Sequence, residues 1–484
     1  MDAFTIGFRI PNLFRRVFGE GAFTAAFLPE FVQQRESSET QNAWELAVAT
    51  FLLLSGLLAL LVVLVCLALG ICLACFEWSA ETTLLLQLTI LMFPYVLLVC
   101  QMALLVAILQ AEQRFAISAL MPILLNAIWI VALATAPLIA SDAQRQLVVV
   151  SGSIVLAGVV QVCFPVLYFR QQGIRWPSKW MQKWPDAKRL FWGMSPVIAG
   201  VMLTQFNTVF DSLLAWWFAF PQHGGLVDQG TASALYYAQR LFQFPLGVFG
   251  VALASVLFPL LSKAVARKQE QEVAQLLCRG LILSAGLGIP ASLGLWILAE
   301  PVTSLLFERG AFDQNDVYST AVLIRVYATS VWVLITLGIL NRTFYADGNR
   351  MTPMWWAIGG AITNVVLDFV LLPTMGAVGL VWASVAASVV QLAGSFGSLP
   401  QMRSVSLKQW IPQCLWIGCA SLVMALVMYF TMQPMTGLGN RFAIQCQQVM
   451  LPILLGIGSY YLMIKWLNVQ EVLSLLKRTS DQAE

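Results

Sequence analysis

The chain has 484 residues, 59% of them hydrophobic and 11% charged, with a mean hydropathy of +0.78 and a formal net charge of +3. A soluble domain is about 45–50% apolar and about 25% charged, so a string of soluble domains is excluded. Basic residues this few and this scattered also exclude a nucleic-acid-binding surface. Apolar runs between short polar connectors are long enough to cross a bilayer core of roughly 30 Å as helices, so the chain reads as an all-α polytopic membrane protein.

Thirteen candidate spans follow in chain order: 3–31, 46–76, 84–109, 116–140, 147–169, 191–220, 232–262, 276–299, 317–340, 354–372, 377–399, 410–432 and 442–466. Connectors on the side that holds 170–190, together with the C-terminus, carry eighteen Lys or Arg, against three (Arg145, Arg309 and Arg441) on the other side. Such an asymmetry marks the cytoplasmic face, which places the C-terminus in the cytoplasm. The Met1 segment has neither the basic nor the apolar region of a signal peptide.

Shifted by about 230 to 238 residues, the chain partly matches itself: GAFTAAFLP (21–29) lies over VALASVLFP (251–259), and Asn126 falls near Asn364. A repeat that returns with the same polarity is a parallel repeat, as in several transporter folds. The expected organisation is an N-lobe (1–170), a basic cytoplasmic linker (171–190), a C-lobe (191–400) and a C-terminal helix pair with tail (401–484). The two pseudo-symmetric lobes would flank a central cavity. A complete span, 191–220, precedes the helix that carries Arg240, whereas its counterpart begins at Met1, so the N-lobe is expected to lack its first helix.

An ionisable residue within a span costs roughly 2.5–3.5 kcal/mol on insertion scales and is a functional candidate by default. The first span places Arg9, Arg15, Arg16 and Glu20 within twelve residues. The spacing of Arg9, Arg16 and Glu20 allows one stripe; an interfacial amphipathic helix or a salt-bridged pair is the alternative. The second-lobe counterpart carries Arg240 in YYAQRLFQFP. Arg15, Arg16 and Arg240 would together form a cationic cavity, and guanidinium groups match phosphate oxygens bidentately, which implies a large anionic headgroup. Arg279 and Arg325 read as structural counter-ions instead.

The acids within spans are Glu20, Asp211 and Asp368. Asn364 and Asp368 share a helix face, and Ser384 could reach the same level. Two carboxylates, an amide oxygen and a hydroxyl or carbonyl suit a hard monovalent cation or a proton; helix-packing hydrogen bonds are the alternative. The nine cysteines sit in or beside apolar runs without the flanking loops of a zinc or disulfide framework. Cys72 and Cys75 read as packing residues, and His223 is the only histidine.

The opening MDAFTIGFRIPNLFRRVFGEGAFTAAFLPEF resembles the second helix of the MurJ (MviN) lipid II flippases of the MOP exporter superfamily. FPYVLL (93–98), RFAISALMPILLN (114–126), YYAQRLFQFPLGVFGVAL (236–253), LFERGAF (306–312) and FYADGNRMTP (344–353) continue the likeness in order. The resemblance implies two six-helix lobes plus two C-terminal helices, fourteen in all. It further implies a bacterial inner-membrane flippase that moves undecaprenyl-pyrophosphate-linked disaccharide pentapeptide to the outer leaflet by alternating access. Its residue-by-residue implications are gating by Asp2 and Glu20, substrate binding by Arg15, Arg16 and Arg240, and a sodium site of Asp211, Asn364, Asp368, Ser384 and the Leu380 carbonyl. Gln239 and Gln243 stand where many relatives carry an acid. Implied partners are lipid II, membrane lipids and the cell-wall synthesis machinery, with no enzymatic cofactor and with coupling to Na+ or to the membrane potential. Another MOP-type exporter, carrying drugs or polysaccharide lipids, and a transport-dead truncated copy are the alternatives. An enzyme acting on polyprenyl phosphates is disfavoured because no cluster of acids or histidines lies at a membrane face.

Overall fold

The computed structural model describes residues 1–17, 23–36, 40–173, 177, 179–432 and 441–473. Among these residues every regular element is helical, as expected for backbone that must satisfy its own hydrogen bonds in hydrocarbon. Cα packing divides the chain into two units, Met1–Phe210 and Asp211–Glu484.

In the first unit α1 (Asp2–Val17) and α2 (Phe23–Glu36) precede the long α3 (Thr40–Cys75). Next come α4 (Ala80–Met92) and α5 (Tyr95–Ala111), separated at Phe93–Pro94, where proline lacks the N–H needed to continue the ladder. α6 (Phe115–Ile139), α7 (Ala143–Gln171) and a short 3-10 turn at Trp180–Lys183 lead into α8 (Trp184–Trp217). α5 packs against α1, α2, α3 and α7 and is the core of this unit. On α3, by contrast, Leu57, Leu60, Leu64, Leu67 and Ile71 are exposed at three- and four-residue intervals, a stripe suited to lipid.

The second unit takes in the end of α8, then α9 (Thr231–Pro245) and α10 (Val251–Ala266), joined by a π-helical turn at Leu246–Gly250. α11 (Glu270–Phe307) is its central element, packing on α10, α12, α13, α16 and α17. α12 (Gln314–Ala328) opens with a capping box of Asp313 and Asp316. It meets α13 (Val331–Ala346) at a bend of 42°. At that bend the hydroxyls of Thr329 and Ser330 donate to the carbonyls of Val326 and Tyr327 at 2.7 and 2.8 Å, competing with the helix's own ladder. α14 (Met351–Met375), α15 (Ala377–Ser398), α16 (Leu407–Thr431) and α17 (Arg441–Trp466) complete the unit.

The order of elements repeats. The pair α1/α2 corresponds to α9/α10, α3 to α11, the interrupted α4/α5 to α12/α13, α6 to α14 and α7 to α15, each offset by about 230 residues at its start. The parallel repeat anticipated from a few identities is therefore present in the sequence of helix lengths and breaks.

Ten helices among the described residues are long and apolar enough to cross a membrane, or eleven with the bent pair α12/α13 counted as one. The expected spans 3–31 and 191–220 are not among them. Residues 18–22 of the first lie outside the described residues, which leaves α1 and α2, of 16 and 14 residues, on either side. The second overlaps α8 up to Trp217, where the side chains of 194–201, 203 and 204 lie outside the described residues.

Candidate functional site

The second unit holds a buried polar cluster built from three helices. Asp211 projects from α8, Asn364 and Asp368 lie one turn apart on α14, and Ser384 sits on α15 one turn after Leu380. Asp211, Asn364, Asp368 and Leu380 are at most 1% exposed. Ser384 Oγ donates to Asp211 Oδ2 at 2.9 Å, and Asn364 Nδ2 donates to Asp368 Oδ1 at 3.4 Å. The two carboxyl groups lie close enough to interact directly.

Asn364 Oδ1 and Asp368 Oδ2 are buried and accept no hydrogen bond. Two adjacent carboxyl groups with unsatisfied oxygens in a helix core are costly unless a proton or cation compensates them. The donor set is all oxygen, which suits a hard cation. Among the described residues no group of three or more His, Cys, Asp or Glu is placed to hold a metal ion. Thus all five residues expected at the cation site fall on α8, α14 and α15, and Asp211, Asn364, Asp368 and Ser384 touch one another through polar contacts.

In the first unit, Arg9 and Arg15 of α1 have different partners. Arg9 is 5% exposed, and its Nη1 donates to the Thr208 carbonyl at 2.9 Å. It therefore braces α1 against α8; the other two members of the expected stripe, Arg16 and Glu20, lie outside the described side chains. Arg15 is half-buried, its Nε donating to Asn12 Oδ1 at 2.9 Å. The Tyr95 hydroxyl donates to Gln161 Oε1 at 3.4 Å, and Gln161 Nε2 donates to the Met121 carbonyl at 2.7 Å, so α5, α6 and α7 are tied together. Asp2 begins the first turn of α1. Glu20 and the side chain of Arg16 lie outside the described residues.

Arg240 is exposed on α9, and its Nη2 donates to the Tyr236 hydroxyl at 2.8 Å. Gln239, one residue earlier, is buried and donates to the Tyr327 hydroxyl at 3.1 Å, a neutral contact between α9 and α12. Arg325 pairs with Glu300 at 3.1 Å, a counter-ion as expected, although Glu300 is half-exposed rather than buried. His223 stacks on Trp217 with ring centroids 3.9 Å apart. All nine cysteines are free thiols. Sequence reasoning overlooked Asn12 and Tyr236 as partners of the arginines. Their i,i+3 and i,i+4 spacing was the available signal.

A family model described as lipid II flippase MurJ matches residues 1–445. A probable lipid II flippase MurJ of Vibrio cholerae is 30% identical over 81% of this chain and 75% of its own length. One from Bdellovibrio bacteriovorus is 30% identical over 99% of this chain and 90% of its own. A solved structure, lipid II flippase MurJ in an inward closed conformation, shares the fold with a TM-score of 0.74 at 23% identity, covering 96% of this chain and 91% of that one. With helices that repeat in order, arginines on α1 and α9 and a family match over nearly its whole length, the chain belongs to the lipid II flippase MurJ family.

Proposed function

We propose that this multi-pass membrane protein is a lipid II flippase, a transporter with no covalent chemistry of its own. The family match across residues 1–445 carries the reading. In it, Arg15 and Arg240 supply permanent positive charge for the pyrophosphate, and Asp2 contributes to gating. Arginine suits this use because a guanidinium stays charged at any working pH and forks onto phosphate oxygens. The protein alternates between inward- and outward-open states in the bacterial inner membrane, with its C-terminus cytoplasmic, and the polyprenyl tail remains in lipid while the headgroup crosses.

Energy for the cycle comes from Na+ at Asp211, Asn364, Asp368, Ser384 and the Leu380 carbonyl, or from the membrane potential. The orphaned oxygens of Asn364 and Asp368 support a cation there. Translocation of fluorescent lipid II in proteoliposomes, alongside complementation of a flippase-depleted strain, tests the proposal. Wild type should flip lipid II and rescue growth, and Arg15→Ala and Arg240→Ala should do neither while inserting normally. A well-inserted wild-type protein that moves no lipid II would sink the reading in favour of a different exported lipid or a transport-dead copy.

A further inference from the structure

The LFERGAF segment takes no part in the polar cluster, yet its two flanking aromatics converge on the helix that carries Arg240. α11 ends at Phe307, and the chain then turns through Gly310, whose φ of +60° is readily adopted only by glycine. Phe312 N–H closes that turn onto the Arg309 carbonyl at 3.1 Å. The turn returns Phe312 to within 6.0 Å of Phe307, and both rings pack on Tyr237 of α9, with centroids 5.6 and 4.7 Å away. Tyr237 in turn meets Tyr236 edge-on at 5.9 Å.

At the end of this aromatic chain, Tyr236 holds Arg240 in two ways. Its hydroxyl accepts from Nη2 at 2.8 Å, and its ring centroid lies 5.0 Å from the guanidinium carbon. An exposed arginine otherwise samples many rotamers, and ordering a rotamer-rich side chain on binding weakens affinity by about two- to thirteen-fold. A tyrosine at i−4, anchored through its neighbour, orders the side chain before the ligand arrives. The guanidinium presents five donors; the contact with Tyr236 engages one, and a bidentate phosphate contact takes two.

We propose that Tyr236, clamped through Tyr237 by Phe307 and Phe312, is a positioning residue that preorganises Arg240 for the pyrophosphate of the lipid substrate. The inference rests on the reading that Arg240 binds the headgroup. It gives LFERGAF a role, since the segment then sets the orientation of a charge carried by another helix.

The test is a double-mutant cycle on the full-length protein in nanodiscs, measuring lipid II affinity and thermal midpoint for wild type, Tyr236→Phe, Arg240→Ala and the pair. Tyr236→Phe keeps the ring, so the thermal midpoint should hold while affinity falls by up to about tenfold, the scale of ordering one rotamer-rich side chain on binding. In the Arg240→Ala background the same change should cost nothing more. Phe312→Leu, which loosens the clamp, should also weaken binding only when Arg240 is present. Additive losses in the double variant, or unchanged affinity in Tyr236→Phe, overturn the positioning role while leaving Arg240 in place. Unchanged affinity in Arg240→Ala overturns the reading beneath it as well.

Discussion

Asp211 and Asp368 are separated by more than 150 residues of sequence, yet they interact directly in a core that exposes at most 1% of either. The Ser384 hydroxyl fixes one oxygen of Asp211. Because a neutral amide at either position removes half of the anionic charge, Asp211→Asn and Asp368→Asn should each abolish any stimulation of lipid II flipping by Na+ over K+ in proteoliposomes. Ser384→Ala should weaken it, raising the Na+ concentration needed for half-maximal rate. Stimulation that survives both carboxylate variants would remove the cation from this cluster. Tyr95 makes a different kind of contact. Tyr95→Phe leaves Gln161 Oε1 without its donor inside the first unit and should lower stability by about 1 kcal/mol. A thermal midpoint shift in detergent reads this directly, and no shift would mean the 3.4 Å contact contributes nothing.

Helix pairs in this protein close on small residues, as expected where lipid removes the hydrophobic drive for association and backbones gain by approaching. On α7, a Cβ at Gly158 would lie 2.6 Å from the Tyr95 ring and 2.9 Å from Leu98 Cβ. On α15, a Cβ at Gly394 would run into the Trp356 indole, whose Nε1 donates to Ser398 Oγ at 2.9 Å and so has little freedom to yield. Gly158→Ala and Gly394→Ala should each destabilise by about 1–3 kcal/mol through overpacking. The α14/α15 contact also sets the spacing between Asp368 and Ser384, so Gly394→Ala should weaken Na+ stimulation without touching the cluster. At Gly152 a Cβ would meet nothing within 4 Å, so Gly152→Ala should be neutral and serves as the control.

Across the described residues, the repeat places a pair of short helices, a long helix and an interrupted helix in the same order twice. Transporters built on such repeats cycle by moving largely rigid bodies. If each cycle carries one net charge across the bilayer, the potential contributes about 2.3 kcal/mol per 100 mV. Imposing that potential should then change the transbilayer lipid II distribution by up to about 50-fold. A distribution indifferent to voltage but responsive to a sodium gradient would assign the coupling to the ion alone.

Composition and periodicity by themselves determined the all-helical, membrane-spanning class, because hydrocarbon admits few other solutions for backbone polar groups. Local spacing was enough to put Asn364 and Asp368 on one face of α14, since i and i+4 always share a face. The repeat was legible only faintly, in a few identities, because helix lengths and breaks persist where side chains facing lipid are free to vary. Tertiary structure alone decided that Arg9 is consumed by the Thr208 carbonyl while Arg15 pairs with Asn12, for two arginines in one helix look alike until their neighbours are known. It also decided that Asp211 and Ser384 meet and that Phe312 reaches Tyr237. These contacts join residues far apart in the chain, and nothing in local periodicity encodes which distant helix will pack against which.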